Sequence, residues 1–333
     1  MKAISYDRYG SANVLQISVM PRPVPAENEV LVRVSASSVT TADWRLRAAA
    51  FPGVLAVPGR LMFGVIRPRS KVLGGVFAGE VEAVGRAVTA FGPGDRVFGV
   101  SGLGAHAEYL TIAEDATITR TPDTVTDTEA AAVPFGALSA LVFLRDFAGL
   151  MRGQSVLIVG ASGGVGSYAV QIAKLMGAHV AGVASADNHA LLCDLGADEV
   201  IDYRTEDFTN VTSRYDVVFD TVGATDFRRI CGALTPQGQF IPLNFGIREV
   251  WQAIWSALRG RKRVRIGVSG DSREDLEQLA DWMVSGRLRA IVDTVYPLDA
   301  AAEAHRAVET RHRKGTVVLR VCAPMDKVLT RSA

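Results

Sequence analysis

Cysteine is scarce in this chain: three in 333 residues, at Cys193, Cys231 and Cys322, far apart and without a C-x-x-C pair. That odd, scattered set excludes a disulfide framework and a cysteine zinc cluster, and reads as buried or idle thiols. The five histidines add no metal spacing, since zinc needs about three or four clustered donors. Net charge is nearly absent at +1, which leaves no molecule-wide field to hold nucleic acid or an acidic membrane surface. No apolar run is long enough to cross a bilayer, and residues 1–10 lack the apolar core of a signal peptide, so a cytoplasmic protein is expected. With 48% hydrophobic and 21% charged residues, extended disorder is excluded as well.

What is present is an α/β pattern, in a chain long enough for two domains. Up to about Asp123 short β-type runs broken by Gly and Pro predominate, among them residues 29–34, 79–84 and 96–100. From Asp127 the period changes. A helix-like stretch to Phe147 leads into a strand at 155–159, a glycine-rich turn and a helix at 165–176. In that helix Val165, Ala169, Ile172, Ala173 and Met176 share one face. Apolar runs at 179–183, 200–201, 216–219, 239–242 and 264–268 alternate with helix-length segments, the pattern of a doubly wound parallel sheet. After Asp271 follow a charged helix at 273–285, a β-type run at 291–296, a helix near 300–308 and a last run at 316–321. These pieces are too few to fold alone. They are expected to return to the N-terminal unit, giving one domain from 1–123 plus 271–333 and a Rossmann domain inserted over 124–270.

The strand at 155–159 runs into Gly160-Ala161-Ser162-Gly163-Gly164-Val165-Gly166. A chain turning there from strand to helix aims the helix's unpaired first N–H groups at the crevice, and a pyrophosphate satisfies them. Gly160 and Gly163 permit the tight turn and a close approach of phosphate, while Gly166 lets the helix lie against the strand. The spacing is G-x-x-G-x-x-G, not the commoner G-x-G-x-x-G. The flanking strand and amphipathic helix set it apart from a plain glycine-rich turn. NAD-specific sites carry an acidic residue at the tip of the next strand. Here that strand ends in Ala184-Ser185, and the neutral Ser185 favours NADP(H) over NAD(H). Asp187 works against a 2′-phosphate. Tyr203 and Arg204, after the third strand, are candidates to stack on adenine and pair with the phosphate, with a surface turn as the competing reading.

Seven segments in order resemble the zinc-independent, quinone-oxidoreductase branch of the medium-chain dehydrogenase/reductase superfamily. They are residues 38–47 (SVTTADWRLR), 77–85 (FAGEVEAVG), 94–99 (GDRVFG), 160–166 (GASGGVG), 195–203 (LGADEVIDY), 219–223 (FDTVG) and 314–319 (KGTVVL). The resemblance implies a GroES-like catalytic domain around the Rossmann domain, an active site in the cleft between them, and a homodimer. It also implies no metal, since zinc-dependent relatives carry Cys at the place of Thr40 and Gly-His-Glu at Gly74, Gly75 and Val76. By the same carry-over Ser139 approaches the nicotinamide-side phosphate or ribose. Thr221, Val222 and Gly223 sit against the nicotinamide ribose, Asn244, Phe245 and Gly246 line the nicotinamide cleft, and Lys314 reaches the cofactor from the C-terminal part. Two positions depart from the family pattern. Thr40 stands where many relatives have Asn. Val76 stands where many have Asp, which implies a more apolar cleft wall.

Without a metal to polarise a simple carbonyl, a quinone or enone is the easier substrate, because conjugation spreads the charge that arrives with hydride. Thr40, or a nearby backbone N–H, is the expected holder of the developing oxyanion, with water as proton source. Asp43 is a candidate polar partner, with a helix N-cap ahead of Trp44 as the competing reading. The alternatives are a zinc-free alcohol or aldehyde dehydrogenase and a non-catalytic dinucleotide-binding scaffold. The basic run Arg259, Arg261, Lys262, Arg263, Arg265 reads as a solvated helix end. Trp251 and Trp255 read as a packed helix face, and residues 51–72 as a cleft-covering loop or a packed insertion.

Overall fold

The computed structural model describes residues 1–51, 53, 56–259 and 262–322. Strands β1 (Lys2–Ser5) and β2 (Gln16–Val19) pair as an antiparallel ribbon. There follow β3 (Glu29–Val39), α1 (Thr41–Ala48), α2 (Ala56–Phe63), β4 (Val76–Val84), β5 (Arg96–Val100), β6 (Tyr109–Ala113) and β7 (Ile118–Arg120). The next stretch contains α3 (Asp127–Ala132), α4 (Pro134–Val142), β8 (Ser155–Val159), α5 (Gly166–Leu175), β9 (His179–Ala184), α6 (His189–Asp194) and β10 (Glu199–Asp202). It continues through β11 (Tyr215–Asp220), α7 (Phe227–Ile230), β12 (Leu234–Pro242), α8 (Ile247–Arg259) and β13 (Arg263–Val264). The last elements are α9 (Arg273–Val284), β14 (Val292–Pro297), α10 (Ala301–Glu309) and β15 (Thr316–Arg320).

Six parallel strands run in the order β10-β9-β8-β11-β12-β13. The sheet grows outward in one direction from β8 to β10 and in the other from β11 to β13. The carboxyl ends of β8 and β11 therefore flank the crevice where such sheets bind ligands. The second sheet runs β14-β15-β3-β4-β5-β7, with β6 also on β3. In β3 the alternation of Val30, Val32 and Val34 puts these side chains into a core shared with Phe77, Val81 and Leu110. Strand β15, near the C-terminus, pairs antiparallel with β3, Val317 opposite Val39 and Arg320 opposite Ala36. Strands from both ends of the sequence thus share one sheet. The fold is α/β, a Rossmann-like parallel sheet beside a GroES-like β-rich part.

Several expectations are corrected at the level of elements. The stretch 127–147 is not one helix: Pro134 opens α4 at its first turn, and a π-type turn, Phe143–Phe147, follows α4. The run 264–268 pairs with β12 at Arg263–Val264 and then leaves the sheet. Of the thiols expected to be buried or idle, none is fully buried: Cys193 is exposed, Cys231 and Cys322 are partly covered, and all three are free. Helix α9 adds Leu276, Leu279 and Ala280 to the core that holds Leu138 and Leu141 of α4 and Ile172 of α5.

Candidate active site

At the end of β8, Gly160 adopts φ +78°, and a Cβ there would lie 2.6 Å from the Val222 side chain. A Cβ on Gly166 would lie 2.1 Å from the Gly160 carbonyl oxygen, so α5 packs directly on the turn. Gly163 differs. The nearest atom to its added Cβ is the Gly160 oxygen at 3.3 Å, a tight contact but a far milder one than at Gly160 or Gly166, and Gly163 itself lines the cavity described next. Helix α5 begins without a side-chain N-cap, and the Ser167 N–H in its first turn donates to the Gly163 carbonyl at 3.0 Å. Gly136 of α4 completes the packing, because a Cβ there would stand 1.9 Å from the Gly164 oxygen. Sequence reasoning missed Gly136, since a single glycine inside a helical segment carries no local signature of a close approach. From the C-terminal segment, the Gly315 N–H donates to the Ser162 carbonyl at 2.9 Å and secures the other side of the turn.

Beside the turn lies a cavity of about 420 Å³. Helix α1 contributes Thr41, Ala42, Arg45 and Leu46; Phe51, Phe63, Phe135, Phe143 and Phe245 supply aromatic walls. Ser139, Gly163, Gly164, Val165, Thr221, Val222 and Asn244 also line it, so most residues assigned by resemblance to the nicotinamide end do converge. Gly246 stands behind them, packed against Gly53, with its N–H donated to Glu249 at 2.7 Å. The turn at Thr221–Gly223 is shaped by Asp220, which has no exposed surface. Its carboxylate accepts the N–H groups of Val222, Gly223 and Thr225 at 3.0, 2.7 and 2.9 Å, and burial pushes its pKa up despite them. Asp220 lay inside a recognised segment, yet its role emerges from the hydrogen bonds.

Thr40 and Asp43 do not line this cavity. Thr40 is the N-cap of α1: its hydroxyl accepts the Asp43 N–H at 3.2 Å and donates to Asp43 Oδ2 at 2.6 Å. Asp43 in return accepts the Thr40 N–H at 2.8 Å and the Gly74 N–H at 3.0 Å. The two residues are 4% and 1% exposed, and the hydroxyl proton of Thr40 is already committed. This corrects the expectation for Thr40 as oxyanion holder, and for Asp43 both as cleft partner and as N-cap, since it is the N3 member of a capping box. Val76, expected on the cleft wall, is 1% exposed inside β4.

The charged groups among the described residues that face the cavity are arginines. Arg45 donates to Asn244 Oδ1 across the cleft, and its pKa is lowered by burial and by the nearby Arg311. Arg313 donates to Thr41 Oγ1 at 3.1 Å; burial pulls its pKa down to about 10, Asp293 opposing and Arg311 adding to the shift. Among the described lining residues there are three arginines and no carboxylate. Their positions 45, 311 and 313 come from opposite ends of the sequence, which is why no local pattern revealed them.

A second cluster forms at the tip of β9, outside the residues that line the cavity. Ser185 accepts from Asn188 Nδ2 at 3.1 Å, and Arg204 lies 3.7 Å from the Asp187 carboxylate. Lys314 Nζ donates to the Asp187 carbonyl at 3.2 Å. Tyr203 is half exposed, with the Arg204 guanidinium 5.9 Å from its ring centroid. Ser185, Tyr203, Arg204 and Lys314 are therefore gathered in one place around Asp187, Arg204 facing its carboxylate and Lys314 its backbone carbonyl. Among the described residues no group of three His, Cys, Asp or Glu is placed to hold a metal ion.

A glycine turn at the switch point of a parallel sheet, beside a cleft walled by aromatic side chains, is the arrangement in which dinucleotide-binding proteins of this fold hold their ligand. Residues 26–123 match the alcohol dehydrogenase GroES-like domain family, and residues 195–319 match the family described as zinc-binding dehydrogenase. The chain is 33% identical to a chloroplastic quinone oxidoreductase of Triphysaria versicolor, over 96% of this chain and 98% of that one. It is 30% identical to the 2-methylene-furan-3-one reductase of Solanum lycopersicum, over 96% of this chain and 79% of that one. The structure of Escherichia coli quinone oxidoreductase complexed with NADPH superposes with a TM-score of 0.82 at 27% identity, covering 96% of this chain and 100% of that one. The chain belongs to the medium-chain dehydrogenase/reductase superfamily, in its quinone-oxidoreductase-like branch.

Proposed function

We propose that the chain reduces quinones or α,β-unsaturated carbonyls, without zinc and with NADPH preferred to NADH. The observation that carries this reading is the aromatic cleft that runs from the glycine turn to Arg45. The side-chain-free backbone at Gly163 and Gly164 on the cavity wall and the uncapped start of α5 fit a pyrophosphate. Gly160, Ser162, Gly163, Gly164, Val165 and Gly166 would hold it. Ser139, Thr221, Val222, Asn244, Phe245 and Gly246 would frame the nicotinamide end, and Ser185, Tyr203, Arg204 and Lys314 the adenosine end. The bound dinucleotide supplies the hydride.

The chain's own residues then have three tasks. The phenylalanine walls seat a flat conjugated ring and exclude water from its faces. Arg45, fixed by Asn244, takes the polar role first expected of Thr40 and donates to the substrate oxygen as negative charge develops there. Water supplies the proton. The tomato relative is named for a conjugated carbonyl substrate, which supports the enone arm of the reading. The division of the chain into 1–123 plus 271–333 and 124–270 is part of the same proposal.

The test compares quinone-dependent NADPH oxidation in wild type, chelator-treated protein and Arg45→Leu. Chelator is expected to change nothing. Loss of the Arg45 donor is expected to lower kcat by about 10²- to 10³-fold, the usual cost of one oxyanion donor. Unchanged turnover in Arg45→Leu would remove Arg45 from the mechanism, and loss of activity in chelator would remove the zinc-free reading.

A further inference from the structure

Thr40 and Thr41 are neighbours with different tasks. Thr40 is buried and caps α1, whereas Thr41, the first residue of that helix, is half-buried and lines the cavity. Arg45 lies four residues further on. Residues at that spacing share one face of a helix, so both side chains reach the cleft from the same side. The Thr41 hydroxyl accepts from Arg313 Nη2 at 3.1 Å. A hydroxyl has one proton to give as well as lone pairs to fill, and among the described residues no group accepts the proton of Thr41.

Arg313 is fixed at all three of its nitrogens. Its Nε donates to the Gly315 carbonyl at 3.3 Å, Nη1 to the Val308 carbonyl at 3.1 Å, and Nη2 to Thr41. Among the described residues Thr41 is its one side-chain hydrogen-bond partner, and Asp293 acts on it only from a distance. A hydroxyl that accepts from a cation gives its own proton more strongly, because linked hydrogen bonds polarise one another.

We infer that the Thr41 hydroxyl is a second donor to the oxygen of the conjugated substrate, beside Arg45, with Arg313 as the positioning residue behind it. The inference rests on the enone reading of this cleft. When an enone takes up hydride at its β carbon, the alkene pair forms a new double bond to the carbonyl carbon and the carbonyl pair moves onto the oxygen. One hydride from the reduced dinucleotide and one proton from water, delivered to the α carbon, complete the reduction. In between, the enolate oxygen is held by one neutral and one cationic donor. Thr41 also lies at the positive end of the α1 dipole, which favours negative charge there. The aromatic walls exclude water, so each of these hydrogen bonds counts for more than it would in solution.

The experiment compares Thr41→Val, which keeps the shape and removes the hydroxyl, with Thr41→Ser, which restores it, in NADPH oxidation with an enone and with a quinone. Thr41→Val is expected to lower kcat about 10²-fold, as the loss of one oxyanion donor does, with KM for NADPH and the melting temperature near wild type. Thr41→Ser is expected to recover most of the rate. Arg313→Gln should cost about tenfold by itself and nothing further in the Thr41→Val background, because it acts through that hydroxyl. A readout independent of turnover is the absorbance of bound 4-nitrophenol, whose phenolate mimics the oxyanion: it should ionise at lower pH on wild type than on Thr41→Val. The inference is overturned if wild type turns over and Thr41→Val matches it, if folded Thr41→Ser does not regain the rate, if the losses in the double variant add, or if 4-nitrophenol ionises alike on both proteins. Absence of turnover by wild type on either substrate would instead overturn the enone reading, and this inference with it.

Discussion

Gly163 and Gly166 stand three residues apart in one turn and answer to different constraints. The first lines the cleft, where a phosphate is proposed to sit; the second lets α5 touch the turn at the end of β8. Gly163→Asp is therefore expected to keep the fold and to weaken dinucleotide binding at least ten- to hundredfold, the worth of about 1.5–3 kcal/mol in charged contacts, as fluorescence titration reads it. Gly166→Val is expected to lower the melting temperature, because its Cβ meets the Gly160 oxygen at 2.1 Å. At the other end of the cofactor site, Ser185→Asp should shift the ratio of NADPH to NADH affinity toward NADH, and Arg204→Ala should weaken NADPH alone. A ratio unmoved by Ser185→Asp would refute the reading of the ribose pocket. The glycines were legible because their spacing lies within seven residues. Thr40 was misread for a physical reason: its pairing with Asp43 three positions on is itself a capping-box spacing, and a capped hydroxyl is spent. Arg45, Arg313 and Gly136 had no such local signal, since their roles arise where distant segments meet.

Helices and strands were legible where a single period decides them, as in β5 and β8, whose limits agree with the apolar runs read from sequence. Where sequence fell short, a different force was at work. Pro134 divided the 127–147 stretch, and in α8 the period announced an apolar face without saying which way it points. Helix α10 shows the same limit, because it buries a polar side chain. His305 is 0% exposed, its ring 5.6 Å from that of His106, and neither of its nitrogens has a hydrogen-bond partner among the described residues. Burial holds its pKa well below the usual histidine value of 6.5, with His106 and Arg47 adding to the shift; burial also lowers that of His106. The folded state thus disfavours the charged form of both rings, His305 above all, while the unfolded chain takes up protons as pH falls through about 6.5. Their contribution to stability is present above that pH and lost below it. Urea midpoints measured from pH 8 down to 5 should fall, and His305→Leu should flatten the slope. A slope unchanged in that variant would exclude His305 as its source.

At the scale of the whole molecule, β15 pairs with β3 and Gly315 holds Ser162, so the C-terminal segment ties the β-rich part to the glycine turn. That tie sets Arg313 beside Thr41 at the cleft and Lys314 at the tip of β9, with one short segment touching both ends of the candidate cofactor site. Chain order alone suggested the return of the last strands, and the family resemblance supplied the cleft. Its aromatic lining and its arginines required the fold. The central claim is that this cleft reduces conjugated carbonyls by hydride transfer without metal assistance. The most direct test is the initial rate of NADPH oxidation with a quinone, an enone and a saturated aldehyde, each with and without chelator. The account predicts turnover of the first two, none of the aldehyde, and no effect of chelator. Aldehyde reduction at a comparable rate, or activity that disappears with chelation, would contradict it.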